Sequence, residues 1–400
     1  MFDYEVVALP DYFHHTAGPG RVGRSGAAVD HDSTPAANPV TNAGATLGRV
    51  LFYDRRLSAN GTVSCSSCHV QEHGFSDPRR LSVGFAQGVT RRHSMGLSNA
   101  RFNRSGRFFW DERAATLEHQ VLMPFQDPVE MGLTLDRLVG LVSDQPYYPP
   151  LFEAAFGSPS IDSGRIARAL AQFVRSLVSF ESRYDSGRRL VSNSRARFPN
   201  LSEQENQGKR LFMTNEGGRT PCVVCHQTEA FVSGTPRGGR GRRTSATNNG
   251  LDPISPVDRG LAEVTLNDAD AGRFRVPSLR NVAVTAPYMH DGRFATLEQV
   301  VDHYSGGIQD HPNLDPSLRR RLLGPDNYDF TPTEKSALVA FLHTLTDERF
   351  LADERFSDPF LDPGSRSITR TENRTRANNM VTGGDAGPVG QERSRRRPVF

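Results

Sequence analysis

The chain has 400 residues, enough for two or three domains each with its own core, and 36% hydrophobic with 23% charged residues is the composition of a globular protein. Its formal net charge of +3 comes from the C-terminal end: residues 363–400 hold eight Arg against three acids, so the remainder sits at −2, which argues against a nucleic-acid-binding body. The most apolar helical stretch, Ile166–Phe180, is broken by Arg168 and Arg175, which excludes a transmembrane segment there.

In chain order, Met1–Pro10 lacks the basic start and apolar core of a secretory signal. Residues 1–46 form a lead-in whose 14–46 stretch, rich in Gly, Pro, Ala, Asn and Asp, reads as extended and weakly structured. A first domain is expected over 47–190 and a second over 191–350, with the Arg, Ser and Asn stretch 186–200 as linker. Helical periodicity is strong in Ile166–Val178 and again in Glu334–Leu345, each closing one half. Arg237, Arg240, Arg242 and Arg243 lie among glycines and read as a solvated loop rather than a docking site. The Arg-rich end, 363–400, has almost no large apolar residues and is expected to be disordered.

The sequence repeats itself. Leu47-Gly-Arg-Val-Leu-Phe resembles Gln207-Gly-Lys-Arg-Leu-Phe, and Trp110–Glu118 lies over His290–Glu298 without a gap, six of nine positions identical at an offset of 180. Two copies of one domain follow. All four cysteines fall in two equivalent motifs, Cys65-Ser-Ser-Cys68-His69 and Cys222-Val-Val-Cys225-His226. In Cys-x-x-Cys-His the thiols form thioethers to haem vinyl groups and the His is the proximal iron ligand. A shared zinc site is disfavoured because the pairs are 157 residues apart. Such attachment occurs outside the bacterial inner membrane, so a periplasmic location is expected, with the export signal missing from this sequence.

The groups opposite each iron decide function. At the 180 offset Tyr304 lies over Pro124, and tyrosine can ligate iron where proline cannot. Thr296 is expected as N-cap with Gln299 completing a capping box, and Gly306-Gly307 as the stop. A core tyrosine is the bland alternative, and Met289, His290 and His303 compete as ligands. Near the first iron, Trp110, Gln120, Pro124 and Glu130 form a group. Splitting peroxide needs a proton shuttle, which a carboxylate in a desolvated pocket provides, and Glu130 is the candidate. Taken singly, Glu130 and Gln120 read as surface residues and Trp110 as core packing.

Phe109-Trp-Asp-Glu-Arg-Ala-Ala-Thr-Leu-Glu, Pro128-Val-Glu-Met, Arg275-Val-Pro-Ser-Leu-Arg-Asn-Val and Ala286-Pro-Tyr-Met-His-Asp-Gly, in this order, resemble the bacterial di-haem cytochrome c peroxidase and MauG superfamily over about residues 40–350. The resemblance implies a mainly α fold of two pseudo-symmetric cytochrome c-like haem domains with long loops and few short strands. It implies that Trp110 relays electrons between the haems, that Gln120 and Glu130 serve catalysis, and that Pro124 lines the distal pocket. The second haem's ligand falls on Tyr304, as in the tyrosine-ligated MauG branch, where peroxidases have methionine. The distal histidine of many family peroxidases falls on Phe85, which implies an open first haem, although His73 and His93 lie nearby. A calcium ion between the domains is implied through the carbonyls of Thr285 and Pro287, but His93 stands where an asparagine is expected.

The expected function is reduction of hydrogen peroxide at the first haem. Electrons would come from a small cytochrome c, a cupredoxin or another donor, through the second haem. The alternatives are a MauG-like maturase oxidising residues of a partner protein, and a non-catalytic di-haem electron carrier.

Overall fold

The computed structural model describes residues 2–14, 26–216, 218–233, 244–320, 324–325 and 327–360. The four loop arginines from Arg237 to Arg243 and the tail 363–400 lie outside the described residues. Met1–Asp358 form one compact unit and Pro359–Phe400 a second, of which Pro359 and Phe360 are described. Among the described residues the fold is mostly helical. Its strands are two short antiparallel ladders, Ala246–Thr247 with Phe274–Arg275 and Arg319–Arg320 with Gly324–Pro325. No helix among the described residues is long and apolar enough to cross a membrane.

Two helix pairs organise the larger unit. Asn42–Tyr53 packs on Ser163–Ser176, and Glu203–Met213 packs on Pro332–His343. Each helix begins where a side-chain oxygen accepts an otherwise orphaned backbone N–H: Thr41, Asp162, Ser202 and Thr331 are the caps. Both pairs approach closely at a glycine. A β-carbon at Gly48 would lie 2.0 Å from the Ala169 carbonyl oxygen, and one at Gly208 would lie 1.8 Å from that of Ala337. Each crossing then packs the same aromatic pair at a steep angle, Phe52 with Phe173 and Phe212 with Phe341, with centroids 5.2 Å apart in both.

The repeat extends to the backbone. Phe108 bridges Ala114 as Tyr288 bridges Phe294, and the left-handed residues Phe109 and Glu112 correspond to Met289 and Gly292. The apolar core follows, with one cluster centred on Leu47, Leu51, Phe52 and Phe173 and another on Tyr184, Leu211, Phe212 and Phe341.

Three segments differ from the sequence expectation. In the lead-in, Tyr12 and Phe13 are buried in a third cluster with Ala28, Phe102 and Val232, and Ala28–His31 forms a helical turn. The reason lies 173 residues away, where the Tyr12 hydroxyl donates to Asp185 at 2.9 Å, covering the fully buried Asp185–Arg280 ion pair. Helix Arg183–Arg188, with Tyr184 buried, occupies the start of the expected linker. Arg175, which breaks the apolar run in sequence, is itself buried and holds Glu118 through two hydrogen bonds of 2.6 and 3.0 Å.

Candidate functional site: two cavities joined at Trp110

Both Cys-x-x-Cys-His motifs fold as tight helical turns, in which the His69 N–H donates to the Cys65 carbonyl at 2.9 Å and the His226 N–H to the Cys222 carbonyl at 3.0 Å. These turns carry the two thiols and the imidazole of each motif to one cavity wall. His69 Nδ1 sits 2.8 Å from the Phe75 carbonyl; donating there leaves Nε2 as a lone-pair ligand. His226 lies beside the Phe231 and Pro277 backbone, but its buried Nδ1 closes no hydrogen bond among the described residues. Burial holds His226 neutral, pushed down to about 4, and pushes the Cys65 and Cys222 thiols up to about 12. Such thiols suit thioether formation rather than thiolate chemistry. Two cavities, each lined by a thiol pair and a neutral imidazole, fit a covalently attached haem.

The cavities are unequal. The first, about 590 Å³, is lined by Cys65, Cys68 and His69 and also by Gln120, Pro124 and Glu130. The second, about 230 Å³, is lined by Cys222, Cys225 and His226 and by Met289, His290 and Tyr304. Pro124 and Tyr304, equivalent in the repeat, thus occupy equivalent walls. Local sequence explains the difference. After the helix Leu117–Gln120, capped by Thr116, the chain turns into Met123–Gln126 with Pro124 in its first turn. After Leu297–Asp302, capped by Thr296 with Gln299 completing the box, the helix widens into a π-turn at His303–Gly307. Widened turns of this kind recur at functional sites, and this one carries Tyr304 into the cavity.

Tyr304 is deeply enclosed, and burial pushes its phenol well above the ordinary tyrosine range. Its hydroxyl lies 3.4 Å from Asn249 Nδ2, which also reaches the Met289 sulfur at 3.6 Å. Nothing in the sequence singles out Asn249, since its role comes from a loop 55 residues away. His303 does not line the cavity; its Nε2 lies 3.1 Å from the Asn249 carbonyl. His290 stacks on Phe274 at 3.6 Å.

In the first cavity, the Glu130 carboxyl has no side-chain hydrogen bond among the described residues. Burial, then the neighbouring Asp127, raise it to about 7, partly opposed by Arg113. Gln120 is held by its helix, which the Arg175–Glu118 pair ties to Ser163–Ser176. Phe85 departs from expectation, because it is not brought to the cavity. Its ring fills the slot beside Gly132, where a β-carbon would lie 2.5 Å away, and its N–H donates to the Glu130 carbonyl at 3.1 Å. His73 is also turned away, its Nδ1 3.2 Å from the Val284 carbonyl.

Trp110 borders both cavities. Its indole N–H donates to the His93 carbonyl at 2.7 Å, and its own carbonyl accepts from Arg275 N–H at 2.7 Å. The residues named for calcium meet here, since His93, Thr285 and Pro287 all line the second cavity. His93 offers imidazole nitrogens, with Nε2 3.1 Å from Ser76 Oγ and Nδ1 3.3 Å from the Arg80 carbonyl, where calcium takes oxygen ligands.

A mostly helical chain with two haem-attachment cavities joined at one tryptophan is a di-haem c-type cytochrome of the oxidoreductase kind. The family model described as di-haem cytochrome c peroxidase matches residues 42–190. The chain is 34% identical over 315 residues to the methylamine utilization protein MauG of Methylorubrum extorquens, covering 78% of this chain and 81% of that one. It is 33% identical over 328 residues to the cytochrome c551 peroxidase of Nitrosomonas europaea, covering 82% and 86%. A MauG-like protein associated with microbial copper homeostasis superposes with a TM-score of 0.71 at 34% identity, covering 88% of this chain and 99% of that one. The chain belongs to the di-haem cytochrome c peroxidase and MauG family.

Proposed function

We propose that the protein is a di-haem peroxidase in which hydrogen peroxide reacts in the first cavity and electrons reach it by way of the second cavity and Trp110. The observation that carries this reading is the Glu130 carboxyl, raised to about 7 and unpartnered, on the same cavity as His69 and Pro124. Cys65, Cys68 and His69 would hold one haem; Cys222, Cys225, His226 and Tyr304 would hold the other. Haem bound there supplies the iron that cleaves the O–O bond and the electrons that reduce it.

The protein's own part is positioning and proton transfer. Ionised Glu130 takes the proton from the near oxygen of peroxide and, now neutral, returns it to the far oxygen, so that water leaves. The Gln120 amide, on the same cavity, orients the substrate. Pro124 contributes neither ligand nor proton and keeps that wall open. Tyr304, with Asn249 beside its hydroxyl, would help hold the second haem. Trp110, bordering both cavities, is the relay.

Export to the periplasm belongs to the same proposal, because haem is attached to such cysteine pairs outside the inner membrane. A small cytochrome c or cupredoxin is the donor. Stopped-flow mixing of the all-ferric protein with peroxide tests the reading: a rapid haem spectral change is expected, and none before an electron is supplied would defeat the open site. The likeness to MauG proteins favours a second reading, oxidation of residues in a partner protein. Negligible turnover with reduced small donors, beside oxidation of a co-purified protein, would select it.

A further inference from the structure

Among the enclosed arginines Arg49 and Arg275 lack a carboxylate, but Arg49 is satisfied by the Ser357 carbonyl and hydroxyl. Arg92, Arg175, Arg188 and Arg280 each hold a carboxylate partner. Arg275 is half-buried, yet no carboxylate oxygen of the described residues lies within 4 Å of it, and its Nε is fully buried without a hydrogen bond. Its side-chain contacts are soft ones, the Met95 sulfur 3.9 Å from Nη1 and the Phe108 ring with its centroid 5.4 Å away. Glu112, the carboxylate that it feels, gives one oxygen to the Ser245 N–H and hydroxyl at 2.8 and 2.7 Å. A guanidinium has five donors and stays charged, so enclosing it without an anion is costly.

Its position says where the anion belongs. The strand Phe274–Arg275 pairs with Ala246–Thr247, and the Arg275 N–H is bonded to the Trp110 carbonyl. Its side chain consequently borders both cavities. Haem carries two propionate carboxylates on one edge, and the guanidinium fork matches a carboxylate. Resting on the two-haem reading, we propose that Arg275 anchors a propionate of each haem at once, so that the two haems share one counter-charge beside the Trp110 relay.

The test is made on the holoprotein carrying both haems. Arg275→Gln removes the cation, so the reduction potentials of both haems should fall, each reduction equilibrium by about tenfold, or about 59 mV for one electron. Arg275→Lys keeps the charge but loses the fork. Its propionate bending bands in resonance Raman spectra should shift for both haems, a readout that stands even if the Gln variant fails to retain haem. Potentials that stay put in Arg275→Gln overturn the proposal, as does a shift confined to one haem, or unshifted propionate bands in Arg275→Lys. Wild-type protein with no peroxide reaction would defeat the proposed function and leave the propionate result standing.

Discussion

Replacing Glu130 by Gln removes the proton carrier while keeping the shape of the side chain. A positioned acid–base group contributes about 10²–10⁴-fold, so the second-order rate of the ferric protein with peroxide should fall by that factor, about 3–5 kcal/mol of barrier. The wild-type rate should also track ionisation of a carboxyl raised to about 7. It should drop about tenfold per pH unit below 7 and level off above it, whereas the Gln variant should be flat over the same range. Stability moves the other way. Glu130 binds its proton more tightly in the folded protein than at its ordinary value of 4.5, so its contribution is fully present below that pH and lost as pH rises to about 7. The ionised form costs the wild type up to about 3 kcal/mol at pH 8, which the Gln variant does not bear. Stopped-flow rates and urea midpoints between pH 4 and 8 test both arms. A variant within tenfold of wild-type rate, or a wild-type profile flat through 7, refutes the proton-carrier role.

Trp110→Phe deletes the N–H held by the His93 carbonyl and the indole shared by the two cavities. The first spectral change with peroxide should stay within a few-fold, while rereduction by donor should slow at least tenfold; unchanged rereduction removes Trp110 from the path. Tyr304→Met exchanges an anionic phenolate for a neutral thioether and should raise the second haem's potential, read by spectroelectrochemistry. A potential that does not move means that Tyr304 is no ligand. Gly208→Ala pushes a methyl to 1.8 Å from the Ala337 carbonyl and should cost about 1–3 kcal/mol or more in urea unfolding, the usual range for overpacking.

What was legible in the sequence was local or periodic. The Cys-x-x-Cys-His turns, the Thr296–Gln299 capping box and the two helices read from Ile166–Val178 and Glu334–Leu345 each depend on residues a few positions apart. The 180 offset carried further, pairing Pro124 with Tyr304 before any coordinates. What escaped was set by distant partners. Tyr12 and Phe13 look like part of a loose lead-in until Asp185 and Arg280 are placed beside them. Phe85 has the right spacing to face the first iron, but Gly132 offers its ring a slot elsewhere. Arg175 reads as a break in a helix, and Arg275 as one letter of a motif, because a charge partner, or the lack of one, is a property of three dimensions.

The same offset explains why two copies of one frame do not give two reaction sites. Trp110 corresponds to His290, Gln120 to Val300, Pro124 to Tyr304 and Glu130 to Asp310. Val300 lines the second cavity without a polar group, and Asp310 lies at the surface, paired with Arg319 at 2.8 Å. At these positions the second cavity therefore has no counterpart of the Gln120 amide or the Glu130 carboxyl, independently of the tyrosine on its wall. Opening it at Tyr304 would leave no carboxyl of the described lining residues to move peroxide's proton as Glu130 does. The asymmetry is over-determined: a tyrosine on the wall of one cavity, a carboxyl raised to about 7 on the other, and Trp110 bordering both. A single substitution at either iron can silence that iron's role, but it cannot exchange the two.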